Sequence, residues 1–292
     1  MWGLFAVCVL ACDASRTASM QDVSEAVALA GRGDFVNAAR ALETAINEDE
    51  NNAYAHYYLG LIRLQEFGDA ERGLESLLRA SELMPGEPEV RYQVGVAQDE
   101  RGEGEAAAES FRAALSLDPA HAQALFRLGE LTRATGDVRG AIDLYTRAIY
   151  AEPAFPNPYN ALANTYTRYG HDDEAIAVFE NGIANGAIAD RRYLVGHAAN
   201  RADLGRVYLR AERVDDAIAV LTDAVQLSQH SPAHAFNLGV AYRARFERDG
   251  READRELALE QLALARNRCS ANLEPARCAS IASALRDLRA AE

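Results

Sequence analysis

The sequence predicts an all-α solenoid of about seven helix hairpins, closed by a C-terminal capping helix. Three observations lead there. The 292-residue chain is 49% hydrophobic and rich in Ala, Leu, Glu and Arg, a composition that favours helices. From Asp22 onward, apolar residues recur at helical spacing in segments of roughly a dozen residues. A 34-residue period overlies this spacing, and that period is typical of helix-hairpin repeats.

Prolines, glycines and alanines carry the period. Members of each group lie 34 residues apart: Pro85, Pro119 and Pro153; Gly102, Gly136 and Gly170; Ala107, Ala141 and Ala175. A proline ends the second helix of a unit because it cannot continue the hydrogen-bond ladder. Glycine and alanine let two helices cross closely. No hairpin of this kind buries its apolar face alone, so stability must come from stacking on neighbouring hairpins.

These residues resemble the tetratricopeptide repeat (TPR), whose signature is a large residue, Leu-Gly, Tyr, Ala, an aromatic residue, Ala and Pro. The stretches that carry most of it run over 59–85, 95–119, 128–153 and 159–179. The resemblance implies a right-handed α-solenoid over residues 19–268. Its repeats are expected near 19–52, 53–87, 88–121, 122–155, 156–189, 198–231 and 232–268.

Two insertions and the C-terminal segment depart from the regular repeat. About eight extra residues span 190–197, and about seven lengthen the charged turn within 243–256. Both are expected to form longer helices with solvated faces. Residues 274–290 are expected to form the capping helix that a terminal repeat needs. Its inward side chains are predicted to be Ala279, Ile281, Leu285 and Leu288.

The N-terminal residues 2–11 form an apolar run that ends at Val9-Leu10-Ala11-Cys12. The run is too short to span a bilayer but has the length of a signal-peptide core. Its end resembles the lipobox of bacterial lipoproteins. That resemblance implies a signal peptide over residues 1–12, a lipidated Cys12 and a polar tether over 13–21. The protein would then be lipid-anchored on the periplasmic side of the cell envelope. The alternative is a cytoplasmic protein with a misassigned start.

Cys269 and Cys278 are the cysteines that lie beyond Cys12. Cys269 should close the second helix of repeat seven, and Cys278 should lie in the first turns of the capping helix. Antiparallel packing of these helices would bring the Cα atoms within the roughly 7 Å that a disulfide requires. Such a bond persists in an oxidising compartment. We therefore predict a disulfide, whereas a cytoplasmic protein would show two free thiols.

Charge and motif content narrow the class of function. The net charge of −14 argues against a general nucleic-acid binder. Residues 102–107 spell a dinucleotide-binding fingerprint, but no strand precedes them, and Arg32-Gly33-Asp34 falls in an interhelical turn. His230 and His234 flank Pro232 at a hairpin boundary, without a third ligand for zinc. We expect no catalytic site, cofactor or metal, and almost no chain is left over for a catalytic domain.

In TPR proteins the first helices of the hairpins line a concave groove, and fixed positions face the ligand. Asparagine can pair with a peptide backbone, arginine can grip a carboxylate, and tyrosine offers apolar area with a polar tip. Asn160 and Asn164, one helical turn apart, are expected to face the groove together. Alternatively, several of the tyrosines simply pack between helices. The positions carried over from the family are Tyr54, Tyr57, Tyr92, Arg127, Asn157, Asn160, Asn164, Arg168, Arg206, Arg210 and Asn237.

The resemblance implies a protein–protein interaction scaffold of the bacterial cell envelope that binds a peptide segment or a partner protein in its groove. A cytoplasmic TPR adaptor and a non-catalytic docking subunit of an enzyme complex are the alternatives. The carboxylate clamp that holds chaperone tails in some TPR domains is not matched. Phe126 and Glu130, or Asp203, occupy positions that would have to be basic or amide.

Overall fold

A computed structural model of the chain describes residues 2–186, 193–228, 230–269 and 274–290, with side chains from residue 16 onward. Within these ranges the chain forms fifteen α-helices and no strand, so the all-α prediction is confirmed. The helices are α1 (Trp2–Ala30), α2 (Phe35–Glu48), α3 (Ala53–Gln65), α4 (Ala70–Leu83), α5 (Pro88–Glu100), α6 (Gly104–Leu117), α7 (Ala122–Ala134), α8 (Val138–Ala151), α9 (Pro156–Arg168), α10 (Asp172–Asn185), α11 (Leu194–Arg210), α12 (Val214–Leu227), α13 (Pro232–Asp249), α14 (Glu252–Arg268) and α15 (Pro275–Ala290).

The odd-numbered helices α1 to α13 are the first helices of the repeats, and the even-numbered helices α2 to α14 are the second helices. The chain divides into two compact units, an N-terminal unit of residues 1–131 and a C-terminal unit of residues 132–292. The boundary falls within α7. Inside each unit, consecutive helices pack against each other, as α3 does with α4 and α11 with α12.

The turn between the first and second helix repeats one backbone conformation. Gly33, Gly68, Gly102, Gly136 and Gly170 have φ between 64° and 91°, a region that side chains with a Cβ avoid. In the first of these turns, Asp34 follows the glycine, and its carboxylate accepts a hydrogen bond from the Asn37 backbone N–H. Both the Arg32-Gly33-Asp34 motif and Gly102 of residues 102–107 therefore serve the hairpin turn. In the sixth hairpin, Glu212 takes this conformation, with φ 59°.

Small residues allow each first helix to cross its second helix closely. A Cβ added at Gly95 would lie 2.6 Å from Cε1 of Phe111, and one added at Gly205 would lie 2.4 Å from Cγ of Leu221. Phe111 and Leu221 are fully buried. Since the large side chain has nowhere to move, the helix spacing in these two hairpins depends on the missing Cβ.

The insertion before repeat six lengthens its first helix, as expected, because α11 begins at Leu194. The inserted residues were expected to be solvated, but this is wrong for His197, which is only 1% exposed. The imidazole lies against the backbone of Gly186 and edge-on to Tyr193, with ring centroids 6.5 Å apart. Residues 187–192 of the predicted insertion and repeat lie outside the described residues.

The insertion in repeat seven lengthens both helices of that hairpin, to 18 residues in α13 and 17 in α14. It also buries a charge that the sequence did not predict to be buried. The Asp254 carboxylate is 3% exposed and accepts two hydrogen bonds from Arg245, at 2.6 and 2.9 Å. Arg245 also donates to Asp215 at the start of α12, at 3.1 Å. A buried carboxylate requires such a partner because its desolvation is costly.

The capping helix α15 packs on α14 through a stripe of buried residues, Ile281, Ala284, Leu285 and Leu288. Ala279, expected to face inward, is exposed, because the inward stripe starts only at Ile281. Cys269 ends α14 and is joined by a disulfide to Cys278 of α15, with Cα atoms 5.8 Å apart.

The N-terminal helix differs from the expected tether. Residues 13–21 are part of α1, and Ser19 is fully buried. Its hydroxyl donates to the Ala45 carbonyl at 2.8 Å and accepts from the Asn52 side chain at 2.6 Å. A polar sequence is therefore part of the first hairpin here. The predictions for residues 1–12, including Cys12, lie outside the described side chains. Among the described residues, no helix has the length and apolar character needed to cross a membrane.

We predict that Gly95→Ala destabilises the protein. The overpacking against Phe111 costs about 1–3 kcal/mol, which exceeds the roughly 1 kcal/mol gained in helix propensity. Urea unfolding followed by circular dichroism measures the change. Gly104→Ala is the matched control, because its added Cβ would meet nothing closer than Leu131 Cδ2 at 3.7 Å. Equal stability of the two variants would contradict the close-crossing argument.

Loss of the disulfide is predicted to loosen α15. In the chain-entropy model a loop of about ten residues contributes roughly 2.5–3 kcal/mol, and terminal elements of a solenoid fray most easily. Hydrogen exchange of the double variant Cys269→Ser/Cys278→Ser should show faster exchange in α15, while α3 and α4 are unchanged. An α15 that stays equally protected in both proteins would show that its apolar stripe alone holds the cap.

Candidate binding surfaces

The N-terminal unit presents a surface that we call the tyrosine face, formed by Tyr54, Tyr57, Tyr58, Glu89 and Tyr92 on α3 and α5. Tyr54 is 51% exposed, whereas Tyr57, Tyr58 and Tyr92 are partly buried. The rings of Tyr57 and Tyr58 meet edge to face, with centroids 5.3 Å apart. The predicted tyrosines are therefore available to different degrees, and Tyr54 is the most open.

Tyr92 also packs between helices, which agrees with the alternative weighed for the tyrosines. Its ring lies 5.7 Å from that of Phe111 and 4.9 Å from that of His121. Burial raises the pKa of Tyr92, while the nearby charge and hydrogen bond of Arg127 lower it. Arg127 is itself held within the chain, because its guanidinium lies 3.8 Å from the Asp99 carboxylate.

Glu89 is the charged centre of the tyrosine face, and two neighbours orient its carboxylate. Gln93 donates from Nε2 to Glu89 Oε1 at 2.7 Å. His121 contacts Oε2 through Nε2 at 3.2 Å. Because His121 Nδ1 accepts the Ala124 backbone N–H at 3.3 Å, at the start of α7, its Nε2 carries the proton and donates to Glu89. The His121 hydrogen bond is the main reason that the pKa of Glu89 is lowered, against an opposing effect of burial.

Next to the tyrosine face lies an apolar socket between α1 and α3, with α2 behind it. Its volume is about 200 Å³. Polar side chains at this site come from Gln65 and Glu66. The other lining residues are Ala26, Val27, Ala30, Phe35, Leu42, Tyr58, Leu61 and Ile62.

In the C-terminal unit, Asn160 and Asn164 are linked by hydrogen bonds to each other and to Asp203. Asn160 Nδ2 donates to Asp203 Oδ2 at 2.6 Å, and Asn164 Nδ2 donates to Asn160 Oδ1 at 2.8 Å. Arg206 completes the chain of contacts, with its Nη2 2.7 Å from Asp203 Oδ1. α11 places Asp203 opposite Asn160, so the Asn160 amide is bonded within the chain, and the role of the two asparagines in binding a partner stays a prediction.

The remaining predicted residues of this unit differ in their surroundings. Arg210 donates to both oxygens of Asp172, at 2.8 and 3.3 Å, and so is paired with the start of α10. Asn157 and Arg168, at the two ends of α9, are exposed. All three side chains are accessible to a partner, but Arg210 is already ion-paired.

Arg206 and Asn237 come together in a cavity that we call the C-terminal groove, of about 410 Å³. His234 also lines it; burial lowers the pKa of this imidazole. Its Nδ1 is buried and has no hydrogen-bond partner among the described residues. The groove is formed by α11, α13 and the capping helix and is lined by Ala199, Ala202, Asp203, Arg206, Ala233, His234, Phe236, Asn237, Ala276, Arg277 and Ser280.

Sequence reasoning missed the residues that orient the predicted ones. Glu89 occupies a ligand-facing position of its repeat, and His121 immediately precedes a first helix, where a side chain can cap it. Those two positions were the available signals. No sequence signal indicated that α15 contributes to the groove, because the TPR pattern does not extend to a capping helix.

His230 and His234, the pair considered as zinc ligands in the sequence, lie at the start of α13. His230 precedes Ser231, the N-cap of α13, whereas His234 lies within the helix. One helix therefore does not carry both. In the part of the chain that the structure describes, no three His, Cys, Asp or Glu side chains are grouped so that they could hold a metal ion.

Comparison with known structures places the fold among TPR proteins. The crystal structure of MamA is 27% identical and aligns over 55% of this chain and 93% of that chain, with a TM-score of 0.50. PilF of Pseudomonas aeruginosa is 16% identical over 76% of this chain and 96% of its own, with a TM-score of 0.59. A TPR protein from Parabacteroides merdae is 17% identical over 94% of this chain and 99% of its own, also at 0.59. The last two show likeness of fold alone.

A comparison with curated protein sequences gave no significant match. The family model described as tetratricopeptide repeat matches residues 23–88, 61–119, 92–157 and 202–270. These matches together span more than half of the sequence and follow the hairpins seen in both units. The chain therefore belongs to the tetratricopeptide repeat family, with the solenoid fold that its sequence predicted.

Proposed function

We propose that this chain is a scaffold of the bacterial cell envelope that holds an extended segment of a partner protein against the first helices of its repeats. The TPR fold is generally a non-catalytic scaffold for protein interactions. The observation that carries the finer proposal is the C-terminal groove, where a cavity of about 410 Å³ opens between first helices and the capping helix.

The groove combines an apolar floor with a few polar groups, as binding sites commonly do. Ala202, Ala233 and Phe236 supply apolar surface. The Asn237 amide can donate to and accept from a peptide backbone. His234 adds an imidazole whose buried Nδ1 has no hydrogen-bond partner among the described residues.

Internal hydrogen bonds preorganise one wall of the groove. Asp203 is held by Asn160 and by Arg206, so the arginine is fixed in place while 55% of its side chain stays exposed. A side chain fixed before binding loses less conformational entropy when the partner arrives. Arg206 can thus contribute to binding although it is already ion-paired.

The envelope location rests on two observations. The apolar run that ends at Cys12 resembles a lipoprotein signal, and several acyl chains on one cysteine would anchor the protein firmly. The disulfide between Cys269 and Cys278 fits an oxidising compartment, because cytosolic thiols are kept reduced.

Site-specific photocrosslinking in cells tests the groove. A benzophenone amino acid in place of Ser280, which is exposed and lines the groove, should capture a discrete protein partner. Adding Asn237→Ala should lower the yield, because one lost hydrogen bond of roughly 1 kcal/mol weakens affinity about fivefold. Tyr150 on the second helix α8 is the control position, since it is 81% exposed. Equal capture from position 150, or none from position 280, would refute groove binding.

Replacing Cys12 tests the envelope location separately. We predict that Cys12→Ser releases the protein from the membrane fraction while its circular dichroism stays unchanged, because the acylated thiol is lost and the repeats are not. Membrane fractionation and intact-mass analysis of both proteins provide the measurement. A Ser variant that fractionates with membranes like the wild type, with the same N-terminal mass, would leave the lipoprotein reading without support.

A further inference from the structure

The tyrosine face holds a carboxylate that is oriented but has no arginine partner among the described residues. Gln93 and His121 each donate one hydrogen bond to Glu89, at 2.7 and 3.2 Å, and the side chain is still 49% exposed. Arg127, which contacts Tyr92 of this surface, pairs with Asp99 instead. A fixed, half-exposed carboxylate with lone pairs to spare can accept charge-assisted hydrogen bonds from a cationic group.

Two tyrosines, Tyr57 and Tyr92, are neighbours of this carboxylate. The charge of Glu89 acts on the hydroxyl of Tyr57, where it adds to the effect of burial in raising the pKa. Tyr92 lies one helical turn along α5 from Glu89 and contacts the same His121 ring. A carboxylate beside aromatic rings favours binding of a Lys or Arg side chain from a partner, because both the carboxylate and the ring faces attract cations.

The apolar socket is linked to the Glu89 carboxylate through two neighbouring tyrosines. Tyr58 lines the socket, its ring contacts that of Tyr57, and Tyr57 is next to Glu89. A dry apolar cavity of about 150 Å³ is large enough for benzene, so the socket of about 200 Å³ accommodates one large apolar side chain. Apolar and acidic recognition elements thus lie side by side on one face of the N-terminal unit.

We propose that the tyrosine face selects an extended peptide segment with one basic residue, bound at Glu89, close to one large apolar residue, bound in the socket. The inference rests on the proposed function and specifies the partner's chemistry for the N-terminal unit. The net charge of −14 supports it, since a basic segment is attracted to the chain before it docks.

A second copy of the chain is the less suitable occupant. Two chains of charge −14 repel each other at low salt, and the face itself presents Glu89 rather than a complementary basic side chain. A self-association surface would require both the basic and the apolar group on the partner copy. The free peptide segment is therefore the occupant that the charges favour.

Affinity selection from a random heptapeptide library, acetylated and amidated so that terminal charges do not contribute, tests the proposal with the purified chain. Peptides enriched by the wild type should contain Lys or Arg near a large apolar residue. The best peptide is then resynthesised with norleucine in place of its basic residue. Wild-type affinity should fall about tenfold or more, as expected for a lost charge-assisted hydrogen bond.

Three variants assign the two subsites. Glu89→Gln should bind the basic peptide about tenfold more weakly than the wild type does. It should bind the norleucine peptide with the same affinity as the wild type. Glu100→Gln makes the same charge change at the exposed end of α5 and should change affinity less than twofold. Ala30→Leu, which fills the socket, should abolish selection for the apolar residue while the basic preference persists. Thermal unfolding checks that each variant is folded, and the norleucine comparison needs no variant at all.

Several results would overturn the proposal. These are enrichment without a basic preference, equal losses from Glu89→Gln and Glu100→Gln, no enrichment at all, or a dimer in sedimentation velocity that Glu89→Gln dissociates. Capture at position 280 distinguishes the two levels of inference. If it persists while peptide selection fails, the tyrosine face is not the peptide site and the scaffold function stands; if both fail, the proposed function fails too.

Discussion

The close crossing of the two helices in each hairpin is the constraint on which the rest of the structure depends. In four first helices a glycine lies against a large buried side chain: Gly60 on Leu77, Gly95 on Phe111, Gly205 on Leu221 and Gly239 on Leu262. Because no Cβ intervenes, the second helix packs tightly behind the first, and the opposite side of the first helix is left for other contacts. Most residues of the binding surfaces in both units come from first helices.

Those surfaces are not collections of free polar groups. Glu89 is held by Gln93 and His121, and Asp203 by Asn160 and Arg206. Half-buried polar groups without partners would be costly, so neighbouring first helices satisfy one another before any ligand arrives. The consequence is a preorganised face with few polar groups left over, which lowers the entropy cost of binding.

The period of the sequence predicted the helices and the turns, and apolar spacing predicted the cap, because spacing along one chain fixes which face of a helix a residue occupies. It could not predict which polar residues meet across neighbouring helices, since that depends on tertiary register. Asn160 shows the difference: its position on α9 followed from the repeat, but its bond to Asp203 on α11 did not. Ser19 likewise looked like part of a linker until its contact with Asn52 was visible.

The capping helix α15 stabilises the last hairpin, carries one cysteine of the disulfide and lines the C-terminal groove. Its buried stripe closes the core of the last hairpin, and its first turns, before that stripe, supply Arg277 and Ser280 to the C-terminal groove. Cys278 lies one residue from Arg277 and is bonded to Cys269, so the bond fixes the end of α15 that lines the groove. In a reducing compartment that end would be held by apolar packing alone, which starts at Ile281, after the groove residues. The oxidising environment that the proposed location provides is therefore also the condition under which this wall of the groove is most firmly fixed.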